Sequence, residues 1–147
     1  MTVRHIPDGY HTMTPFVVAE GAAKLIDFIQ QAFGAEEVER MAAPDGTVMH
    51  AVVRIGDSML MLGESQGEWK PMQIGLCLYV TDVDAVFARA LEAGGTVVKP
   101  VTNQFYGDRN GTLRDPWGNL WSVGTHIEDV SPEDMKKRMD AAMKQHG

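Results

Sequence analysis

Apolar and polar positions along the chain alternate between two periods, and clusters of Gly, Pro and Asp-Gly mark where the period changes. Thr12 to Ala19 reads as a strand. From Ala22 to Phe33 the residues Ala22, Leu25, Ile26, Ile29 and Phe33 recur at helical spacing, which predicts a helix with one buried face. Glu37 to Met41 and Thr47 to Ile55 are strand-like runs on either side of Pro44-Asp-Gly46, and Gly56-Asp57 predicts a tight hairpin into Ser58 to Gly63. The first half is thus a predicted β-α-β-β-β unit.

The same order then repeats. Gln73 to Thr81 reads as a strand, and Val83 to Ala93 as a helix with Val83, Val86, Phe87, Ala90 and Leu91 inward and Gly94-Gly95 as its stop. Three more strands are predicted: Thr96 to Val101, about Gly111 to Arg114, and Leu120 to Thr125, the last two joined by Asp115-Pro-Trp-Gly118. Phe16-Val-Val-Ala-Glu20 and Leu78-Tyr-Val-Thr-Asp82 stand 62 positions apart, as do Gly56-Asp57 and Gly118-Asn119, which argues for an internal duplication. The modules fall at about 11–64 and 73–126. Beyond them, Ser131 as N-cap, Pro132 at the first helical position and Glu133-Asp134 in the first turn predict a C-terminal helix at about 131–145. Its stripe of Met135, Met139, Ala142 and Met143 reads either as a docking face, on its own domain or a partner subunit, or as a Met-lined ligand surface.

Composition changes the picture by exclusion. A chain of 147 residues, 44% hydrophobic and 22% charged, has enough material for one globular domain with a real core. With 13 Lys and Arg against 20 Asp and Glu, the net charge of −7 argues against a nucleic-acid partner. Cys77 has no cysteine to pair with, no apolar run approaches the roughly 18 residues a membrane span needs, and Met1 to His5 leads into no apolar signal segment. The cytoplasm is the expected compartment.

Two βαβββ modules, each helix preceded by a strand ending in an acid, resemble the vicinal oxygen chelate superfamily of glyoxalase I, extradiol dioxygenases, and fosfomycin and bleomycin resistance proteins. Its PhnB-like branch is the nearer likeness, carried by Ile6-Pro-Asp-Gly-Tyr-His-Thr-Met-Thr-Pro15, Pro44 to Ser58, Phe105-Tyr-Gly-Asp-Arg109, Asp115-Pro-Trp-Gly118 and Trp121 to Pro132. The resemblance implies an α+β fold in which the modules form curled mixed sheets around a cavity, with a small-molecule ligand and a homodimer as the usual setting. It also implies where a divalent metal would be held in metal-binding relatives: seven residues before the acid that ends each first strand, and four residues beyond the Gly of the Asp-Pro-x-Gly turn. Those positions are Met13, Gly75 and Ser122, none an ordinary hard-metal ligand, so neither a bound metal nor another cofactor is expected.

Within the cavity so implied, strand alternation puts Met13, Pro15 and Val17 on one face of the first strand, and Gly75, Cys77 and Tyr79 on its counterpart; Ser122, Gly124 and His126 share a face of the last strand. The 62-residue offset pairs Glu64 with His126, either as a carboxylate orienting a general base or as exposed strand ends bound to backbone or water. His50 shares a face with Val52 and Arg54 and suits an anionic or carbonyl-bearing ligand, or else links strands or subunits. Tyr106 and Arg109 lie in a predicted loop that either closes over the cavity or clamps a turn through Asp108 and Arg109. Trp69 reads as an aromatic lid or a contact residue; Cys77 as a small buried residue; Trp117 and Trp121 as packing. His5, His11 and His146 are assigned no role. Two functions remain: a non-catalytic small-molecule binder rimmed by His50, Arg54, Tyr79, Arg109 and His126, with Ser122, Tyr106 and Trp69 as further ligand contacts, or an enzyme. The latter would be a lyase, isomerase or transferase using His126 or His50 as base, or an atypical metal enzyme built on His50, Glu64 and His126.

Overall fold

The structure, a computed structural model, describes residues 2–146. The chain divides between Ile74 and Gly75 into two compact units of the same plan. The first holds β1 (Phe16–Ala19), α1 (Ala22–Phe33), β2 (Glu36–Ala42), β3 (Val48–Ile55) and β4 (Ser58–Glu64). The second holds β5 (Gly75–Tyr79), α2 (Val83–Glu92), β6 (Thr96–Asn103), β7 (Asp108–Arg114), β8 (Leu120–His126) and the C-terminal α3 (Pro132–His146). Each sheet is four-stranded and mixed: β1-β4-β3-β2 in one and β5-β8-β7-β6 in the other, with the first strand parallel to its neighbour and the rest antiparallel. The α+β fold class and the βαβββ order are as the sequence predicts.

In each unit a helix covers one face of the sheet. Leu25, Ile26 and Ile29 of α1 are fully buried, as are Val17, Ala51, Val53 and Leu62. Each such branched side chain withdrawn from water contributes about 1.5–3 kcal/mol before entropy is counted. In the second unit Val83, Phe87 and Ala90 of α2 meet Leu113, Trp121 and Val123. Close approach is secured at Gly111, where an added Cβ would lie 3.0 Å from the Phe87 ring and 3.0 Å from the Lys99 carbonyl oxygen.

The structure corrects the repeat. Ala22 and Val83, the first residues of α1 and α2, stand 61 positions apart. So do the side chains that accept from their backbone N–H groups, Glu64 and Thr125, and the buried strand residues Leu62 and Val123. The self-comparison aligned Glu20 with Asp82, but Asp82 is the N-cap of α2, and the cap position of α1 is held by Gly21. One residue in a strand is a whole face. Val17 therefore points into the core rather than a cavity, 1% exposed. Phe16 and Val18 take the open face, and the counterpart of Glu64 is Thr125, not His126.

Two boundaries also move. β7 begins at Asp108 instead of near Gly111, because its ladder with β8 runs on to the pair Asp108 and His126. Asp108 and Arg109 are thus strand residues, not a loop closing over a cavity. β1 begins only at Phe16, and the segment before it lies across the open face of the first sheet, where an added Cβ at Gly9 would stand 3.1 Å from the Met59 methyl carbon. Among the described residues no helix is long and apolar enough to cross a membrane.

Candidate functional site

The open face of the second sheet carries the densest polar chemistry. Alternation along β5, β7 and β8 brings Cys77, Tyr79, Asp108, Asn110, Ser122 and Gly124 to one surface, and with Tyr106 they line a pocket of about 220 Å3. Cross-strand pairing sets the spacing: Cys77 lies beside Ser122, Tyr79 beside Gly124, and Gly124 beside Asn110. Gly124 keeps the centre low, since a Cβ there would meet that of Asn110 at 3.1 Å.

A chain of hydrogen bonds runs along one edge of this surface. The Tyr79 hydroxyl donates to Asp108 Oδ2 at 2.7 Å. Asp108 Oδ1 lies 2.8 Å from His126 Nδ1, and His126 Nε2 lies 2.7 Å from Asp129 Oδ1. A carboxylate can only accept, so this geometry favours the imidazole with a proton on each nitrogen. Its bond to Asp108, then that to Asp129, raises the His126 pKa above its ordinary value. The His126 bond also holds the Asp108 carboxyl low against its burial, and donation to Asp108 raises the Tyr79 phenol.

The segment after β8 is tied to the turn before β7. Ile127 and Glu128 donate their N–H groups to the Gly107 carbonyl at 2.9 and 3.1 Å. Only glycine fits there, because a Cβ on Gly107 would fall 2.2 Å from the Glu128 carbonyl oxygen. Arg138 of α3 grips Glu128 through both oxygens and reaches the Phe105 carbonyl. The Met stripe of α3 divides: Met135 and Ala142 are half-buried, whereas Met139 and Met143 are exposed.

Other sequence candidates take different places. Glu64 accepts from the N–H of Gly21 at 2.9 Å and of Ala22 at 3.1 Å, replacing a local cap at the N-terminus of α1. It lies in the first unit and His126 in the second, and each has its carboxylate, imidazole or backbone partners within its own unit. Arg109 forms a bidentate pair with Asp84 of α2, both bonds 2.9 Å, and donates to Asn103; its place is the helix side of the sheet, away from the pocket. Arg54 pairs with its cross-strand neighbour Glu36. Cys77 is exposed rather than buried, on the open face of its strand.

In the first unit the open face is aromatic. Phe16 lies 5.0 Å from the Trp69 ring and 5.8 Å from His50, centroid to centroid. Trp69, 59% exposed, with Phe16, Val18, Met72 and Ile74 borders a pocket of about 410 Å3. A second, of about 380 Å3, gathers His5, His11, His50, Glu39 and Tyr10 beneath the N-terminal segment. His5 and His11, assigned no role from the sequence, thus line a pocket. Their alternation with Ile6 and Tyr10 carried no signal of where the segment would fold back. The His146 side chain lies outside the described residues.

A glyoxalase-type metal does not fit these residues. With the repeat set at 61, the positions answering to the relatives' ligands are Thr14 and Met61 in the first unit, Gly75 and Ser122 in the second. That set has no imidazole and no carboxylate. Among the described residues no three His, Cys, Asp or Glu side chains are grouped to hold a metal ion.

Residues 10–123 match the family model of the Glyoxalase/Bleomycin resistance protein/Dioxygenase superfamily, and the chain belongs to that superfamily. It is 37% identical over 140 residues to an uncharacterized protein of Mycobacterium bovis, covering 88% of this chain and 92% of that one. Among solved structures it resembles TioX from Micromonospora sp. ML1, with a TM-score of 0.70 and 24% identity over 80% of this chain and 99% of that one. It also resembles TnmS3, an antibiotic binding protein from Streptomyces sp. CB03234, with a TM-score of 0.63 and 25% identity over 86% and 98% of the two chains.

Proposed function

We propose that this superfamily member, of the PhnB-like branch, is a cytoplasmic homodimeric protein that binds a small organic molecule on the open face of its second sheet. The observation that carries the reading is the convergence of Tyr79, Tyr106, Asp108, Asn110 and Ser122 on one pocket, where a few placed polar groups stand beside aromatic surface. The likeness to an antibiotic binding protein over most of both chains supports it. Binding is favoured over acid–base catalysis because both nitrogens of His126 are engaged by carboxylates, leaving none open to take a proton from a ligand. In the first unit His50 lines the pocket beneath the N-terminal segment, and Trp69, across Phe16 from it, offers a second apolar ledge for a ligand.

Heteronuclear NMR titration with water-soluble aromatic fragments tests the reading. Saturable shifts centred on Cys77, Tyr79, Asn110 and Ser122 are expected. Shifts that fall only on other residues for every fragment would overturn it. Sedimentation at tens of micromolar tests the dimer, and a monomer mass would remove it.

A further inference from the structure

The direction of the hydrogen bonds on this face limits what it can recognise. Carboxylate oxygens cannot donate, so the proton of the Tyr79 hydroxyl is committed to Asp108 and its oxygen presents lone pairs to the pocket. A phenol that donates to a carboxylate is also polarised into a better acceptor. Asp108, 7% exposed, adds a carboxylate at the floor. Along the chain of bonds two carboxylates, Asp108 and Asp129, flank a single imidazole, and of the two it is Asp108 that lines the pocket.

No arginine is among the residues that line this pocket, although Arg114 shares the open face of β7 four residues from Asn110. Arg109 is held by both oxygens of Asp84 and Arg138 by both of Glu128. What remains is aromatic: Tyr79 is 70% exposed and Tyr106 37%, and ring faces attract organic cations. The Tyr106 hydroxyl accepts from Asn110 Nδ2 at 2.8 Å, which fixes that ring beside the pocket.

Building on the binding reading above, we infer that the pocket of the second unit selects aromatic or alkyl ammonium ligands, with Tyr79 accepting from the ammonium and Asp108 supplying the counter-charge. Anionic molecules of the same size are disfavoured, which fits a chain of net charge −7.

The test is an NMR titration of the full chain at low ionic strength with phenethylamine, phenethyl alcohol and hydrocinnamate, which share a ring and differ in charge. The amine should shift the Cys77, Tyr79, Ser122 and Gly124 signals with a Kd about tenfold or more below that of the carboxylate, and added salt should shrink the difference. Equal affinity for amine and alcohol, or tighter binding of the carboxylate, would overturn the cation preference while leaving the face as a binding site. No shift at these residues with any of the three would overturn both readings. Tyr79→Phe, which keeps the exposed ring and removes only the hydroxyl, should weaken the amine about fivefold or more. Asp108→Asn should bring the amine and carboxylate affinities together. Unchanged selectivity in both variants would reject the assignment.

Discussion

The two units share one plan and use it differently, and the contrast is sharpest at the hairpin between the last two strands and on the open face. In the first unit β3 and β4 are joined by the two-residue turn Gly56-Asp57. In the second, Asp115-Pro-Trp-Gly-Asn119 makes the turn around a buried carboxylate. Asp115 accepts from the N–H groups of Trp117 and Asn119, the Asn119 amide and the Trp121 indole, at 2.9 to 3.1 Å. The first unit's open face is laid over by its own N-terminal segment and ringed by Phe16, Trp69 and His50. The second leaves Tyr79, Ser122 and Asn110 exposed to a polar pocket. A duplicated scaffold thus holds one face overlaid by its own N-terminal segment and the other open, without changing strand order or the register of its parallel pair.

The largest expected effect breaks the hairpin contrast. Asp115→Ala leaves the Trp121 indole N–H and two backbone donors without their acceptor inside the fold, a loss of about 3 kcal/mol or more, whereas Asp57→Ala in the short turn should cost under about 0.5 kcal/mol. Urea unfolding of both variants measures the difference, and equal losses would deny that the second turn depends on its carboxylate.

Next in size are the two helix caps. Glu64→Ala and Thr125→Val each remove the strand side chain that accepts from the first N–H of a helix, α1 and α2 respectively, and each should cost about 1–2 kcal/mol. Thermal midpoints check this. A large loss at Thr125 with none at Glu64 would mean that the 61-residue equivalence is geometric only.

A smaller effect depends on pH. His126 has a pKa raised above 6.5, so its contribution to stability is complete below that value and fades as pH rises through the elevated one. Asp108 has a pKa lowered below 3.8, so its contribution is present above that value and is lost as pH falls through the depressed one. Wild type should therefore exceed His126→Ala most clearly between the ordinary carboxylate and imidazole ranges and approach it as pH rises through the raised imidazole value. A gap that stays constant to high pH would mean that the imidazole is not held as a cation. The smallest expected effect is none: chelator-stripped protein with low-millimolar Ni, Zn, Mn, Fe(II) or Co should keep its midpoint, whereas a tightly held ion raises it by several degrees.

Much of this was legible along the chain. Helical spacing located α1 and α2 because their buried faces are unbroken, and Gly56-Asp57 and Asp115 to Gly118 marked the hairpins because turns demand those residue types. Sequence parity also put Cys77, Tyr79, Ser122 and His126 on one side of their sheet, as found. It failed where a partner comes from far along the chain. Arg109 looked like a ligand residue until Asp84, on the helix, took its guanidinium. Glu64 looked like a base's partner until it met the N-terminus of α1.

The sequence by itself determined the architecture: hydrophobic period, turn residues and the repeated order of elements are local properties, and they specify two βαβββ units whichever way the details fall. Only the tertiary structure decided which carboxylate serves which group. Asp108 and Asp129 reach His126, and Tyr79 reaches Asp108, through strand pairing and a returning segment, and a shift of a single residue in the repeat exchanges the two faces of a strand.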